Sequence, residues 1–278
     1  MNARPEEHLA AFGARLEEHL AVIAARLDPG QPYRDPRPGE RRLAVSALGH
    51  VLRARPDPLA AAAAFARLGF AYTDEVDAGT GRRYAMYRDG VWGVVAVDLS
   101  APAGLVVEVP HPHSDLCTER MGACLFALTP GAVLVMAGAH RRAGGGAADV
   151  AHNDGSLFHA LAAEAARRRL PQLQLHGFAD RNLPDVDAVV STGAPAPAPA
   201  AVRAAGHVAD HLAALGLATR RSGDTPGGYL EGTRNVQART ASRAGTVFVH
   251  LELSRRVRAD GRLRAGTARA LAAAGLAE

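Results

Sequence analysis

From Leu105 onward the chain alternates short apolar runs with stretches of helical period. The runs fall at 105–109, 132–137, 173–176, 186–190 and 247–253, and helices are expected up to residue 128, over 156–168 and over 201–215. Strands this apolar must be covered on both faces, and helices between them are what covers them. The pattern therefore implies an α/β domain with a mixed, mostly parallel sheet flanked by helices.

The first part of the chain reads differently. Leu9, Phe12, Leu16, Leu20, Ile23 and Leu27 recur at spacings of three and four, the stripe of an amphipathic helix, and Asp28-Pro29-Gly30 ends it. Further helices are expected over 41–53 and 58–68, so residues 1–68 read as a helical N-terminal extension. Strands over 70–73, 83–87 and 92–97, joined by turns at Gly79-Thr80-Gly81 and Asp89-Gly90, form a small antiparallel meander. It opens an α/β domain over 69–278, whose alternation of strands and helices begins at 105. Residues 193–200 are a stiff Pro/Ala loop inside that domain.

Composition narrows the function classes. There is no lysine, and the 32 basic side chains, all arginine, exceed the acidic ones by only four. With an aromatic fraction of 5% and no basic-aromatic repeat, no nucleic-acid platform is expected. No apolar run approaches the ~20 residues of a membrane span, and the N-terminus lacks the apolar core of a secretory signal. Cys117 and Cys124 are poorly spaced to pair. A soluble cytoplasmic protein without membrane partners is expected; the helical leader is compatible with a homodimer or with packing on its own domain.

Four places put polar residues where a core strand needs none. The segment Val106-Val107-Glu108-Val109-Pro110-His111-Pro112-His113-Ser114-Asp115 ends a buried strand in a loop carrying His111, His113, Asp115 and, further on, Glu119. Imidazole and carboxylate at the carboxyl end of a sheet strand suit a zinc site; the same residues also suit a polar turn that caps a helix. In the second place Gln172, Gln174 and His176 share one strand face, and Gly177 lets another group approach closely. In the third, His250 and Glu252 alternate with Val249, Leu251 and Leu253; a general base would explain Glu252, and so would an exposed edge paired with Arg255 or Arg256. The fourth is a pair of loops, His140-Arg141-Arg142 and Gly232-Thr233-Arg234-Asn235, whose guanidinium groups could hold a carboxylate or an oxyanion, or simply face solvent. His207 and His211 are spaced as on one helix face but lack the glutamate of a metalloprotease helix.

Taken in order, His111, Asp115 and Thr118, then His176-Gly177, the apolar strand through Thr192-Gly193, Arg234-Asn235 and finally Leu251-Glu252-Leu253-Ser254 with its arginines resemble the zinc carboxypeptidase superfold. The likeness is to its poly-γ-glutamate hydrolase and N-acyl amino acid amidohydrolase branch, and it spans roughly 105–258. His152, Ser156 and Phe158 resemble a His/Ser/Phe segment of that branch. The first acid departs from the family pattern, being an Asp one residue closer to its His, and the Asn-Arg loop is in altered order.

The resemblance implies a zinc-dependent amide hydrolase acting on a small or polymeric carboxylate-bearing substrate. Zn2+ would be held by His111, Asp115 or Glu119, and His176, with His113 and Glu119 able to replace His111 and Asp115. Glu252 would be the general base, Arg141 or Arg142 would stabilise the oxyanion, and Arg234, Asn235 and His152 would bind substrate. The altered first acid leaves a second reading, a binding or scaffold protein on the same fold without catalysis.

Overall fold

The computed structural model describes residues 13–224 and 228–276; Leu9 and Phe12 of the expected stripe lie outside them. Leu16, Leu20 and Ile23 of that stripe lie on helix α1, Ala14–Ala25, which buries Leu16, Leu20 and Ala24, and Leu27 follows its end. Helix α2, Pro38–Val51, opens on a proline, whose missing N–H costs nothing in the first turn, and the Glu40 carboxylate accepts from the Arg37 amide at 2.6 Å. Helix α3, Pro58–Ala66, is capped by Asp57, which accepts from the Ala60 amide.

Strands β1, Ala71–Val76, β2, Arg83–Asp89, and β3, Gly93–Asp98, form the expected antiparallel meander. Beyond it come β4, Leu105–Val109, helix α4, Thr118–Leu128, β5, Ala132–Ala137, helix α5, Leu157–Arg167, and β6, Gln172–Phe178. They are followed by β7, Ala188–Ser191, helix α6, Pro199–Ala214, β8, Thr219–Arg221, and helix α7, Val236–Ala244. Strand β9, Phe248–Ser254, and helices α8, Arg255–Ala259, and α9, Gly261–Ala273, complete the described chain.

The nine strands among the described residues join one sheet in the order β1-β2-β3-β5-β4-β6-β9-β7-β8. The expectation of a mostly parallel sheet is corrected here. The pairs β1–β2, β2–β3, β3–β5 and β7–β9 are antiparallel, and only β4–β5, β4–β6, β6–β9 and β7–β8 are parallel. The reason is that the meander is not separate: β3 pairs with β5 and extends the sheet, and β7 returns against β9. At the β3–β5 junction Gly93, with φ of 120°, lies so close to β5 that a Cβ would overlap the Met136 carbonyl.

Two apolar layers sandwich the sheet. On one face α1, α4, α6 and α9 pack over Val107, Val109, Leu173, Leu175, Val249 and Leu251. On the other, α2, α3 and α5 pack over β2, β3, β5 and Val106 of β4, and Phe248 of β9 meets Ala238 and Ala241 of α7. Between these two apolar patches the second face turns polar. No helix among the described residues is long and apolar enough to cross a membrane.

Candidate metal centre

The polar part of the sheet is a row across the parallel strands β4, β6 and β9. Glu108 is in register with Gln174, Gln174 with His250, and His176 with Glu252. Residues in register point to the same face, so alternation along each strand, combined with this register, stacks the row. It lies toward the C-terminal ends of these strands, where α/β sheets commonly bind ligands.

The loop after β4 adds the remaining groups. The Asp115 amide donates to the His111 carbonyl at 2.8 Å, curling the loop so that both side chains face β6. Asp115 Oδ2 lies 3.3 Å from His111 Nδ1 and 3.3 Å from His176 Nδ1, and all three residues are buried. Arg258 holds this arrangement from below. Its guanidinium donates to the Leu253 carbonyl at 3.0 Å, to the Phe178 carbonyl at 2.9 Å and to the Leu116 carbonyl, joining the ends of β9 and β6 to the Asp115 loop. Gly177 makes room for it, since a Cβ there would overlap the guanidinium. This is the close approach expected of that glycine.

The outer nitrogens of both imidazoles are already engaged. His111 Nε2 lies 2.8 Å from Asp149 Oδ1, and His176 Nε2 lies 2.7 Å from Gln174 Oε1. Asp149 also binds Arg141 Nη2 at 2.7 Å and His152 Nδ1 at 3.2 Å. Burial opposes its ionisation, but the bonds from His111, His152 and Arg141 outweigh it and hold the carboxyl well below the usual range. A carboxylate and an amide oxygen can only accept, so both Nε2 atoms carry protons and both Nδ1 atoms turn their remaining valence toward Asp115. Two imidazole nitrogens and a carboxylate oxygen facing one another call for positive charge between them. Two such nitrogens and one carboxylate, with acceptors behind the imidazoles, are a donor set that suits zinc.

His176 also groups with His250 and Glu252 as possible ligands. With Nε2 committed to Gln174, His176 has one nitrogen to give, so it serves one grouping at a time. The histidines differ in their surroundings. Burial alone would lower both; the two flanking carboxylates raise His111, whereas His176 stays below the ordinary imidazole value.

A cavity of about 450 Å³ opens above the row, lined among others by His111, Asp115, Arg141, His176, His250 and Glu252. Glu252 Oε2 is buried without a hydrogen-bond partner, and burial, reinforced by the Asp115 charge, raises its carboxyl well above the ordinary glutamate value. His152, Arg234 and Asn235 also line this cavity. Arg234 is exposed and its side chain has no partner among the described residues. Asn235, expected at the substrate, has both ends of its amide engaged. Its Oδ1 caps α7 by accepting from the Ala238 amide at 2.9 Å, and its Nδ2 donates to Gln174 Oε1.

Two alternative ligands are not brought to the cluster. Glu119, in the first turn of α4, is buried away from the cavity with Oε2 unpartnered and Oε1 3.9 Å from Arg120. His113 points the other way and donates from Nδ1 to the Ala24 carbonyl of α1 at 3.0 Å. Arg142 does not line the cavity, whereas Arg141 does.

Asp149 and Glu108 are singled out by nothing in the sequence, whereas Gln174 and His250 are read there only as members of polar strand faces. Gln174 and His250 carry a signal, since each shares a strand face with a selected residue two positions on. Asp149 carries none, because its loop brings it to His111 only in three dimensions.

No protein-family model matches the chain, and no curated protein matches it. Among solved structures, it is similar to a metallo-carboxypeptidase from Pseudomonas aeruginosa, with 16% identity, a TM-score of 0.44, and coverage of 88% of this chain and 70% of that one. A metallo-carboxypeptidase from Burkholderia cenocepacia gives 13%, 0.40, 76% and 66% on the same measures. An aminopeptidase from Legionella pneumophila gives 10%, 0.42, 99% and 74%.

Proposed function

We propose that the chain is a zinc-dependent, carboxypeptidase-like hydrolase that cleaves an amide bond in a small substrate bearing a carboxylate. The observation that carries this reading is the convergence of His111 Nδ1, Asp115 Oδ2 and His176 Nδ1, with both outer imidazole nitrogens engaged and the unpaired Glu252 on the same cavity. His111, Asp115 and His176 would hold the ion. The chemistry supplied by such an ion is polarisation of a carbonyl and acidification of water toward a pKa of about 7.

The chain's own residues perform the remaining tasks. Glu252 Oε2, free of other hydrogen bonds, receives the proton of the attacking water and delivers it to the leaving nitrogen, so that this nitrogen departs as an amine. Arg141 spends part of its guanidinium on Asp149 and directs its remaining donors to the oxyanion that develops on the carbonyl oxygen. Arg234, unpaired at the rim, binds the substrate carboxylate. His152 lines the same cavity, and Asn235 supports the site from behind through Gln174. The cavity volume suits a short peptide, a γ-glutamyl or an N-acyl amino acid.

Metal analysis of untagged protein together with hydrolysis of N-acyl amino acids and short peptides tests this. Near-stoichiometric zinc is expected, lost in His176→Ala. In Glu252→Gln the zinc should stay while hydrolysis falls about 10²–10⁴-fold. Zinc bound but no substrate cleaved by the unaltered chain would favour a binding protein on the same fold. Absence of zinc, with His176→Ala unchanged, would remove the reading altogether.

A further inference from the structure

We propose that Glu108 is a positioning residue of the metal centre: through the Gln174 amide it fixes which nitrogen of His176 carries the proton, and so turns Nδ1 toward the cation. This rests on the zinc reading above, but it concerns groups outside the ligand set.

Packing gives Glu108 no reason to exist. The strand reads Leu-Val-Val-Glu-Val, every position is buried, and Glu108 itself is 0% exposed. A valine or leucine would continue the apolar layer formed by Val106 and α5 on that face. A buried carboxyl is costly unless it is hydrogen-bonded for a purpose.

Its bonds show the purpose. Glu108 Oε2 accepts from Gln174 Nε2 at 2.7 Å. With the Gln172 amide oriented to donate to the Ala162 carbonyl at 3.2 Å, the same nitrogen donates to Glu108 Oε1 at 2.7 Å. Both carboxyl oxygens thus accept from amide nitrogens.

An amide can sit in either of two orientations that exchange donor and acceptor, so something must choose. The Gln174 nitrogen faces the Glu108 carboxyl and, at 3.3 Å, Gln237 Oε1. The Gln237 nitrogen in turn donates to the Val150 carbonyl at 2.8 Å, which fixes that residue. The Gln174 oxygen then faces His176 Nε2 and Asn235 Nδ2, and the Asn235 amide, itself fixed by its cap on α7, favours the same orientation. Were Gln174 reversed, its nitrogen would meet His176 Nε2. That atom would have to accept, the proton would move to Nδ1, and the ligand would be closed. Glu108 makes the shorter of the two bonds to the Gln174 nitrogen and is the carboxyl in this network.

The test uses the full-length, metal-free protein labelled with 15N-histidine, together with zinc affinity from chelator competition. Wild type and Glu108→Gln, which keeps an acceptor oxygen for Gln174, should show His176 protonated at Nε2. Glu108→Leu should show mixed tautomers and bind zinc about 10–100-fold more weakly. Glu108→Val is measured in parallel, because valine already fills three of the five strand positions, so either folded variant decides. Gln174→Glu cannot reverse into a donor, and combining it with Glu108→Leu should restore the Nε2 tautomer. A folded Glu108→Leu or Glu108→Val with His176 wholly protonated at Nε2 and zinc affinity within about threefold of wild type overturns the proposal. A tautomer shift in a protein that binds zinc in no form would sink the metal reading while upholding control of the His176 tautomer by Glu108.

Discussion

At the scale of single residues, the site is governed by where each proton can sit. Two histidines present the same ring nitrogen to one carboxylate because acceptors occupy the other nitrogen, Asp149 for His111 and Gln174 for His176. Glu108 sets a testable pH dependence. Burial, opposed by the Gln174 amide bond, pushes its carboxyl from an ordinary value of 4.5 up to about 8. A carboxyl raised in the folded state stabilises the fold below its unfolded pKa, and that contribution is lost as pH rises through the folded value. Denaturant unfolding of metal-free protein should therefore show stability falling between pH 4.5 and about 8 by on the order of a few kcal/mol more in wild type than in Glu108→Gln. Parallel curves for the two proteins would show that this carboxyl does not titrate differently on folding. His111, His176 and Glu252 stand out in the sequence because each sits within an apolar strand or closely follows one. The choice of Asp115 over Glu119 was not legible there, since both lie near the start of one helix and only the curl of the loop aims one of them inward.

At the scale of elements, the apolar periods located the strands and the longer helices to within a few residues. The exceptions have physical causes. Strand β8 has three residues, two of them exposed arginines, so it shows no apolar alternation. Helix α7 is short and strongly polar, Val-Gln-Ala-Arg-Thr-Ala-Ser-Arg-Ala, and its start is marked mainly by the Asn235 cap. Helices α8 and α9 follow β9 almost without a loop, each capped by a side chain, Ser254 and Asp260. Arg258 of α8 makes an element-level prediction. It ties three segments together through backbone carbonyls, and burial lowers its pKa. Replacing it by methionine leaves buried carbonyls unpaired, at about 1–3 kcal/mol each, and frees the Asp115 loop. Arg258→Met should lower stability by roughly 3 kcal/mol or more and weaken zinc binding together, read by denaturant titration and chelator competition. A variant as stable as wild type would show that the guanidinium is not the tie. Gly93→Ala belongs to the same scale. It forces a Cβ into the Met136 carbonyl at a positive φ, and thermal unfolding should show one of the larger losses of any single methyl addition in the sheet.

At the scale of the whole molecule, the helical leader and the meander are built into the same body as the core. Ala44, Leu48, Ala61 and Phe65 of α2 and α3 share an apolar layer with β2, β3 and α5, and α1 buries Leu16 and Leu20 in the layer on the opposite face. Strand order was beyond reach of the sequence, because periodicity fixes which residues face inward and says nothing of which strand lies beside which. The order β4-β6-β9 is what gathers the polar row, since strands far apart in the chain become neighbours there.

The proposed ligands, His111, Asp115 and His176, bind one zinc ion through two imidazoles and a carboxylate. X-ray absorption at the zinc edge of the loaded, untagged protein measures this directly. A first shell of nitrogen and oxygen at about 2.0–2.2 Å, with the multiple-scattering signature of two imidazoles that drops to one in His176→Ala, is the predicted result. Sulfur ligation near 2.3 Å, or an imidazole count that His176→Ala leaves unchanged, would contradict it.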